Sequence, residues 1–221
     1  MQWLEFISSV PLFRELPDNQ LVFLARSARE KTYAAGQIIV GDSDKTDALY
    51  LLQKGRIKLS KSSFNGKEQT IHIFGPGDLL GLCTVFTGTV FPASAVAMEK
   101  SRMLLFSRKA LEKTAYDEPS LLINLVFELS MRLKESMEMI EALALKEIPQ
   151  RLASFLMLSV SMDKDDTFLM PFSQRELAKV LGATPETLSR SLRRMIQDNM
   201  IQVEGRYIRI LDKAAIRDLA E

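Results

Sequence analysis

Glu186, Ser189, Arg190 and Arg193 recur at i, i+3, i+4 and i+7. On an α-helix that spacing lines up a single ridge. A carboxylate, a hydroxyl and two guanidinium groups on one outward ridge are the kinds of group that accept from and donate to base edges in a DNA groove. The chemistry they suit is recognition rather than bond making. No nucleophile elbow, phosphate-cradling glycine loop or Cys-x-x-Cys accompanies them, and the one histidine of the chain, His72, cannot form the clustered set that a cupin-like metal site uses. An enzyme is not expected.

A ridge is useful only if something holds it outward. Ser173 with Glu176 three residues on is a capping box and predicts a helix start. Gly182 suits the left-handed conformation that ends a helix, and Thr184-Pro185 is an N-cap followed by proline at the first helical position. A second helix therefore starts at about Pro185. Leu177 and Leu181 on the first helix, and Leu188, Leu192 and Ile196 on the second, form apolar stripes that can meet. The arrangement is a helix-turn-helix with a recognition helix. Two capped helices alone could equally be a hairpin with solvated charges. The segment MIQVEGRYIRILD shifts the balance away from that: Ile201 and Val203, then Ile208 and Ile210, alternate with polar residues around Glu204-Gly205 and predict a wing. Net charge is only +1, so DNA binding has to come from local distribution. Between Pro171 and Arg194 five basic residues (Arg175, Lys179, Arg190, Arg193, Arg194) face two glutamates, Glu176 and Glu186. The candidate DNA contacts are Ser173, Gln174, Arg175, Thr184, Glu186, Thr187, Ser189, Arg190, Arg193 and Arg194. Of these, Ser173 and Thr184 are expected to cap helices and touch phosphates rather than specify bases.

With 221 residues and 47% apolar content, the chain has room for two domains with real cores. From about Lys31 to Ser107, short alternating runs such as ALYLLQ, RIKLS and QTIHIF are separated by glycine-bearing turns, which predicts a β-sandwich or barrel. Short helices are expected before it, between Trp3 and Arg29. Pro119 opens a long helix running to about Glu147, where Pro149 interrupts it. Along this helix Leu122, Val126, Leu129, Leu133, Ser136, Ile140 and Leu143 alternate spacings of four and three, the seam of a coiled coil, so a homodimer is expected. Two recognition helices about one duplex turn apart would read a palindrome. The expected divisions are 1–118, 119–147 and 148–221. No basic leader with an apolar core stands at the N-terminus, no apolar run is long enough to span a membrane, and the lone Cys83 excludes a disulfide framework within the chain. The expectation is a soluble, cytoplasmic protein.

This organisation resembles the Crp/Fnr superfamily of bacterial transcription regulators over nearly the whole chain. AAGQIIVGDSDKTDALYLLQKGRIKLS looks like the family's opening β-roll and GPGDLLG (Gly75 to Gly81) like its later Gly-Asp turn. The E-x-x-S-R pattern of ETLSR is similar to the fumarate-and-nitrate-regulator branch, and GATPETLSR to nitrosative-stress regulators of hybrid-cluster-protein genes. The resemblance implies an α+β chain: an N-terminal double-stranded β-helix (a cyclic-nucleotide-binding-like β-roll), a long dimerisation helix and a C-terminal winged helix-turn-helix. It also implies double-stranded DNA and RNA polymerase as partners. Arg190 would pair with guanine O6 and N7, and Glu186 would accept from a cytosine amino group. Pro185 replaces an arginine with which cyclic-AMP-binding members read DNA, so only a shared GA-type core is expected in the half-site.

The effector stays open. By alignment, Leu82 stands at the ribose-binding glutamate of cyclic-nucleotide binders and Pro92 and Ala93 at their phosphate-binding Arg-Ser pair. A buried phosphate would lack its cation, which argues against cyclic AMP. One cysteine per chain cannot supply an iron–sulfur cluster with four cysteine ligands. Heme is one alternative, with His72 or Cys83 as ligand and Met131, Met137 and Met139 on the long helix; structural roles for these residues compete with it. An apolar or aromatic metabolite near Ser94 and Ser136 is another. A regulatory subunit that uses its roll without touching DNA is the competing class, and the Glu186-Ser189-Arg190 ridge with the wing speaks against it.

Overall fold

The segment Ala48–Lys54 (β3) is buried on both faces, so its apolar residues run almost without interruption instead of alternating with polar ones. Leu49 and Leu51 point into one core, Tyr50 and Leu52 into another. The antiparallel partner Ser101–Ser107 (β8) divides its side chains in the same way: Leu104 and Phe106 face the first core, Met103 the second. This doubly covered pair is the centre of the N-terminal part. In the computed structural model, the residues described are 3–160 and 166–220; the ends of the expected first and last divisions, at 1 and 221, lie outside them.

Two four-stranded sheets make the roll. One has the order β1-β8-β3-β6, with Arg29–Tyr33 (β1) and Leu79–Leu80 (β6); the other has the order β2-β7-β4-β5, with Ile38–Val40 (β2), Ser94–Ala97 (β7), Ile57–Ser62 (β4) and Glu68–Phe74 (β5). Tyr33, Tyr50, Leu52, Ile57, Phe74, Phe91 and Met103 fill the interior between them. Outside, Leu4–Ser9 (α1), a 3-10 turn at Pro11–Phe13, Asp18–Ser27 (α2) and Arg108–Asp117 (α4) contribute the other side of the first core. Glycine is required at Gly55, whose φ is +102° and where a Cβ would lie 2.7 Å from the Ser101 Cα. At Gly81 φ is +95° and a Cβ would lie 2.9 Å from the Ala48 carbonyl oxygen. In the Gly75-Asp78 turn the Gly75 N–H donates to the Asp78 carboxylate at 2.7 Å, and Gly77 N–H donates to the Leu52 carbonyl at 2.8 Å, which fixes the turn to β3.

The long helix spans Ser120–Leu145 (α5), and Pro149 falls in the first turn of the next helix, Ile148–Val160 (α6). The proline thus starts a helix where its missing N–H costs nothing, rather than interrupting one. The chain divides into two compact units, Met1–Lys134 and Glu135–Glu221, with the division within α5. In the first unit Leu121 is buried, Asn124 Nδ2 donates to the Leu12 and Arg14 carbonyls, and Arg132 Nη2 donates to the Leu79 carbonyl at 2.9 Å. Arg151 does comparable work in the second unit. Its guanidinium donates to the carbonyls of Ala142, Leu143 and Lys146 at the end of α5, and to Leu181 in the helix-turn-helix. Carbonyls at helix ends commonly lack intrahelical partners, and the guanidinium supplies donors there; Ala142 accepts from the Lys146 N–H as well.

No helix among the described residues is long and apolar enough to cross a membrane.

Candidate nucleic-acid interface

Two helices, Gln174–Val180 (α7) and Pro185–Gln197 (α8), stand where the capping signals put them. Ser173 Oγ accepts from the Glu176 N–H, Glu176 Oε1 accepts from Lys179 Nζ, and Thr184 Oγ1 accepts from the Thr187 N–H. Gly182, at φ +66°, ends α7 in a Schellman motif: Ala183 N–H donates to the Ala178 carbonyl and Gly182 N–H to the Lys179 carbonyl. Asn199, at φ +55°, closes α8 in the same manner, with Met200 N–H on the Met195 carbonyl.

The buried face of α8 carries Leu188, Ser191, Leu192 and Met195. Ile196, expected in that stripe, is 42% exposed; Met195, one position earlier, takes its place because the 3.6-residue turn brings i+7 back over Leu188 more closely than i+8. Ser191 is admitted to the core because its hydroxyl donates to the Thr187 carbonyl at 3.1 Å. With that face turned inward, Glu186, Arg190, Arg193 and Arg194 are exposed and Thr187 and Ser189 half-buried. Ser173, Gln174, Arg175 and Thr184 are exposed as well.

The charges on the ridge are available. Arg175, Arg190 and Arg193 have no ion-pair partner among the described residues, while Arg194 reaches Asp198 only at 3.8 Å, with both groups open to solvent. Such an exposed pair contributes little and is readily exchanged for a phosphate. The Glu186 carboxyl is held below the ordinary carboxylate range, chiefly by its own backbone N–H and then by the Thr184 hydroxyl. It is therefore an acceptor only, as a cytosine amino group requires.

The wing is built as expected from Ile201–Glu204 (β10) and Tyr207–Ile210 (β11), with Gly205 at φ +60° in the turn. A third strand joins it without any signal in the sequence. Thr167–Leu169 (β9) pairs with β11, and its three residues are too few to show a period. Arg206, Tyr207 and Arg209 on this sheet are exposed, and only the tertiary pairing reveals that they share a surface with the helices' domain.

The effector candidates are less cohesive. Leu82 is 6% exposed and packs in the core with the N-terminal helices, not among the residues lining the roll, because the left-handed Gly81 starts the short helix Leu82–Val85 (α3) in that direction. Cys83 on α3 is exposed. Pro92 is exposed, Ala93 fully buried, and Ser94 half-buried, with its Oγ accepting from the Asp42 N–H. His72 is half-buried with its ring centre 4.5 Å from that of Phe74. Ile71 is the extra residue of a bulge opposite Leu59 and Ser60, so the simple alternation expected around His72 does not hold. Ser136 is exposed on α5 in the other unit. Met131 and Met137 are exposed on the same helix and Met139 half-buried.

Known proteins add what geometry alone does not. Residues 30–116 match the cyclic nucleotide-binding domain family and residues 150–219 the Crp-like helix-turn-helix domain family. The chain is 30% identical over 197 residues to the fumarate and nitrate reduction regulatory protein of Vibrio cholerae, covering 87% of this chain and 78% of that protein. The chain belongs to the Crp/Fnr family of transcription regulators. As a member of that family it is also 26% identical over 210 residues to the cyclic AMP receptor protein of Thermus thermophilus, covering 95% and 96% of the two chains. A CooA mutant from Carboxydothermus hydrogenoformans has the same fold, with a TM-score of 0.80 at 22% identity, covering 100% of this chain and 96% of that one. The Crp-like helix-turn-helix match takes in α7, α8 and the wing of this Crp/Fnr regulator.

Proposed function

We propose that this regulator acts as a homodimer that reads a palindromic site through Glu186, Ser189 and Arg190, gated by a small uncharged effector in the roll. The observation that carries the DNA reading is the α8 ridge, where Arg190 and Arg193 stand exposed with no ion-pair partner among the described residues. Side chains so placed can donate to guanine and phosphate without first breaking an internal bond. Support for the dimer comes from α5. Leu122, Val126, Leu129, Leu133 and Ile140 are each between 39% and 66% exposed along one face, and Leu143 is half-buried. An apolar seam of this kind, broken by Ser136, is normally covered, and a second copy presents its complement. RNA polymerase is the further partner this reading implies.

Support for an uncharged effector comes from what surrounds the alignment-derived phosphate position. The nearby cation, Lys61, already donates to the Asp42 carboxylate at 2.8 Å and to the Pro92 carbonyl at 2.9 Å. Burial, and then the neighbouring Tyr50, push the Tyr33 hydroxyl up to about 12, so this interior phenol is neutral. An anionic ligand would find paired charge and apolar surface there. Heme fits these residues poorly: His72 is packed on Phe74 and Cys83 is exposed on another element.

Fluorescence anisotropy on a randomised palindrome library tests the reading. Selection of a two-fold symmetric site by the wild type, and loss of preference at one position per half-site in Arg190→Ala, is the expected result. Unchanged preference in that variant would overturn it. A heme-supplemented, anaerobically reduced preparation is expected to show no stoichiometric Soret band, and a His72-dependent band that shifts with nitric oxide would restore the heme alternative.

A further inference from the structure

The DNA-binding domain contains a cavity that DNA reading does not use. Its volume is about 380 Å³, within the range of small-molecule sites, and it opens between the wing, the segment before α7, and α8. Met170, Phe172, Leu192, Val203 and Ile208 give it an apolar wall. One charged side chain lines it, Arg206 at the wing turn.

Arg206 is a guanidinium without an anion. Its Nη2 donates to the Met170 carbonyl at 2.8 Å, and it has no carboxylate partner among the described residues. One of five donors is thus committed, in a direction that anchors the planar group beside the cavity. Apolar walls with a single fixed cation at the edge complement one chemical class: an acid whose aromatic or alkyl body enters the cavity while its carboxylate pairs with the guanidinium. The same cavity is bordered by Ser173 and Gln174, both candidate phosphate contacts.

We propose that this cavity binds a small amphipathic carboxylate, and that its occupation opposes DNA binding directly, without passing through the roll. The acid's negative charge would lie near where DNA phosphates approach Ser173 and Gln174, and like charges brought close together repel. The inference rests on the DNA-binding reading of α7 and α8.

The test uses the full chain with 1-naphthylacetate as probe and 2-(1-naphthyl)ethanol as its uncharged counterpart. Isothermal titration is expected to show saturable binding of the acid, weakened at least tenfold in Arg206→Gln and for the alcohol, and abolished in Val203→Phe, which fills the cavity. Saturating acid is expected to raise the DNA dissociation constant at least tenfold. The proposal is overturned by any of three results: no saturable binding, binding indifferent to both variants, or unchanged DNA affinity at saturation. Failure of the underlying reading looks different, because the acid-free protein would then bind no DNA. Arg190→Ala separates the two further, since it should lose DNA selectivity and still bind the acid.

Discussion

The roll and the helix-turn-helix treat their polar groups in opposite ways. In the roll, Lys61 is paired with the Asp42 carboxylate and also donates to the Pro92 carbonyl, and the interior is phenols, aliphatics and phenylalanines. On α8, two arginines and a charged glutamate are displayed on one side, while the other side is tied down by Leu188, Leu192 and Met195. A surface that must meet a polyanion and base edges keeps its donors and acceptors unspent. A pocket for an uncharged ligand, as proposed for the roll, pairs or removes its charges, since burying them unpaired costs several kcal/mol. The proposed uncharged effector and the DNA thus call for opposite treatments of charge within one chain.

The severest test of this contrast removes the device by which the two regions would act as a pair of copies. Leu133→Asp places a charge in the exposed seam of α5 and is expected to raise the dimer dissociation constant at least about a hundredfold, corresponding to about 3 kcal/mol. Analytical ultracentrifugation reads it directly. If the variant stays dimeric at micromolar concentration, some other surface holds the copies together.

Next in size is the ridge itself. Arg190→Ala should cost about 1–3 kcal/mol at the base pair it reads, a loss of roughly ten- to a hundredfold, with preference relaxed at that position only. Arg193→Ala should weaken binding more evenly across sequences and flatten its salt dependence, because a phosphate contact carries no sequence information. Anisotropy titrations at two salt concentrations separate these behaviours. An equal effect of both variants on every site would reduce the ridge to a basic patch.

The two regions also differ in how far they can be read without coordinates, for the same physical reason. Helix caps act over three or four residues, so Ser173, Gly182 and Thr184 announce α7, the turn and α8 locally. Even there the inward face differs by one residue at its far end, Met195 replacing Ile196, since apolar character alone cannot say which of two neighbours the angular drift favours. In the roll the decisive facts are non-local. That β3 is covered on both faces depends on helices more than twenty residues before it and fifty after it, and that Leu82 joins their core depends on the backbone of Gly81. Alignment puts Leu82 at a ligand position, and packing assigns it elsewhere. The three residues of β9 acquire strand character only from β11.

A smaller effect tests the scaffold under the ridge. Thr184→Ala removes the oxygen that accepts from the Thr187 N–H and should cost about 1 kcal/mol of stability in the C-terminal unit, seen as a lower midpoint in urea for that unit alone. In the roll, Lys61→Ala should change stability by less than about 1 kcal/mol, because its ion pair with Asp42 is half open to solvent. If that variant instead lost effector response, the paired lysine would belong to the ligand site and the contrast drawn between the two regions would weaken.

The smallest expected effect concerns Glu186, and its direction follows from the sign of the shift. Its carboxyl is held below the ordinary glutamate value by its own backbone N–H and by the Thr184 hydroxyl, so protons bind the folded state less readily than the unfolded one. Whatever stability this contributes is present above the unfolded value, near pH 4.3, and is lost as pH falls through the lower folded value. Between pH 7.5 and about 5.5 the group therefore stays ionised and remains an acceptor. Discrimination for cytosine over the other bases at its position should be constant across that interval, while Glu186→Gln, which presents an amide donor beside its acceptor, should lower discrimination at every pH. Thr184→Ala removes one of the two hydrogen bonds that hold the carboxyl down, so in that variant any loss of cytosine preference should begin at a higher pH than in the wild type. A preference that fades between pH 7.5 and 5.5 in the wild type would mean that another titrating group reads the base, and His72, the one histidine of the chain, lies in the roll rather than on the ridge.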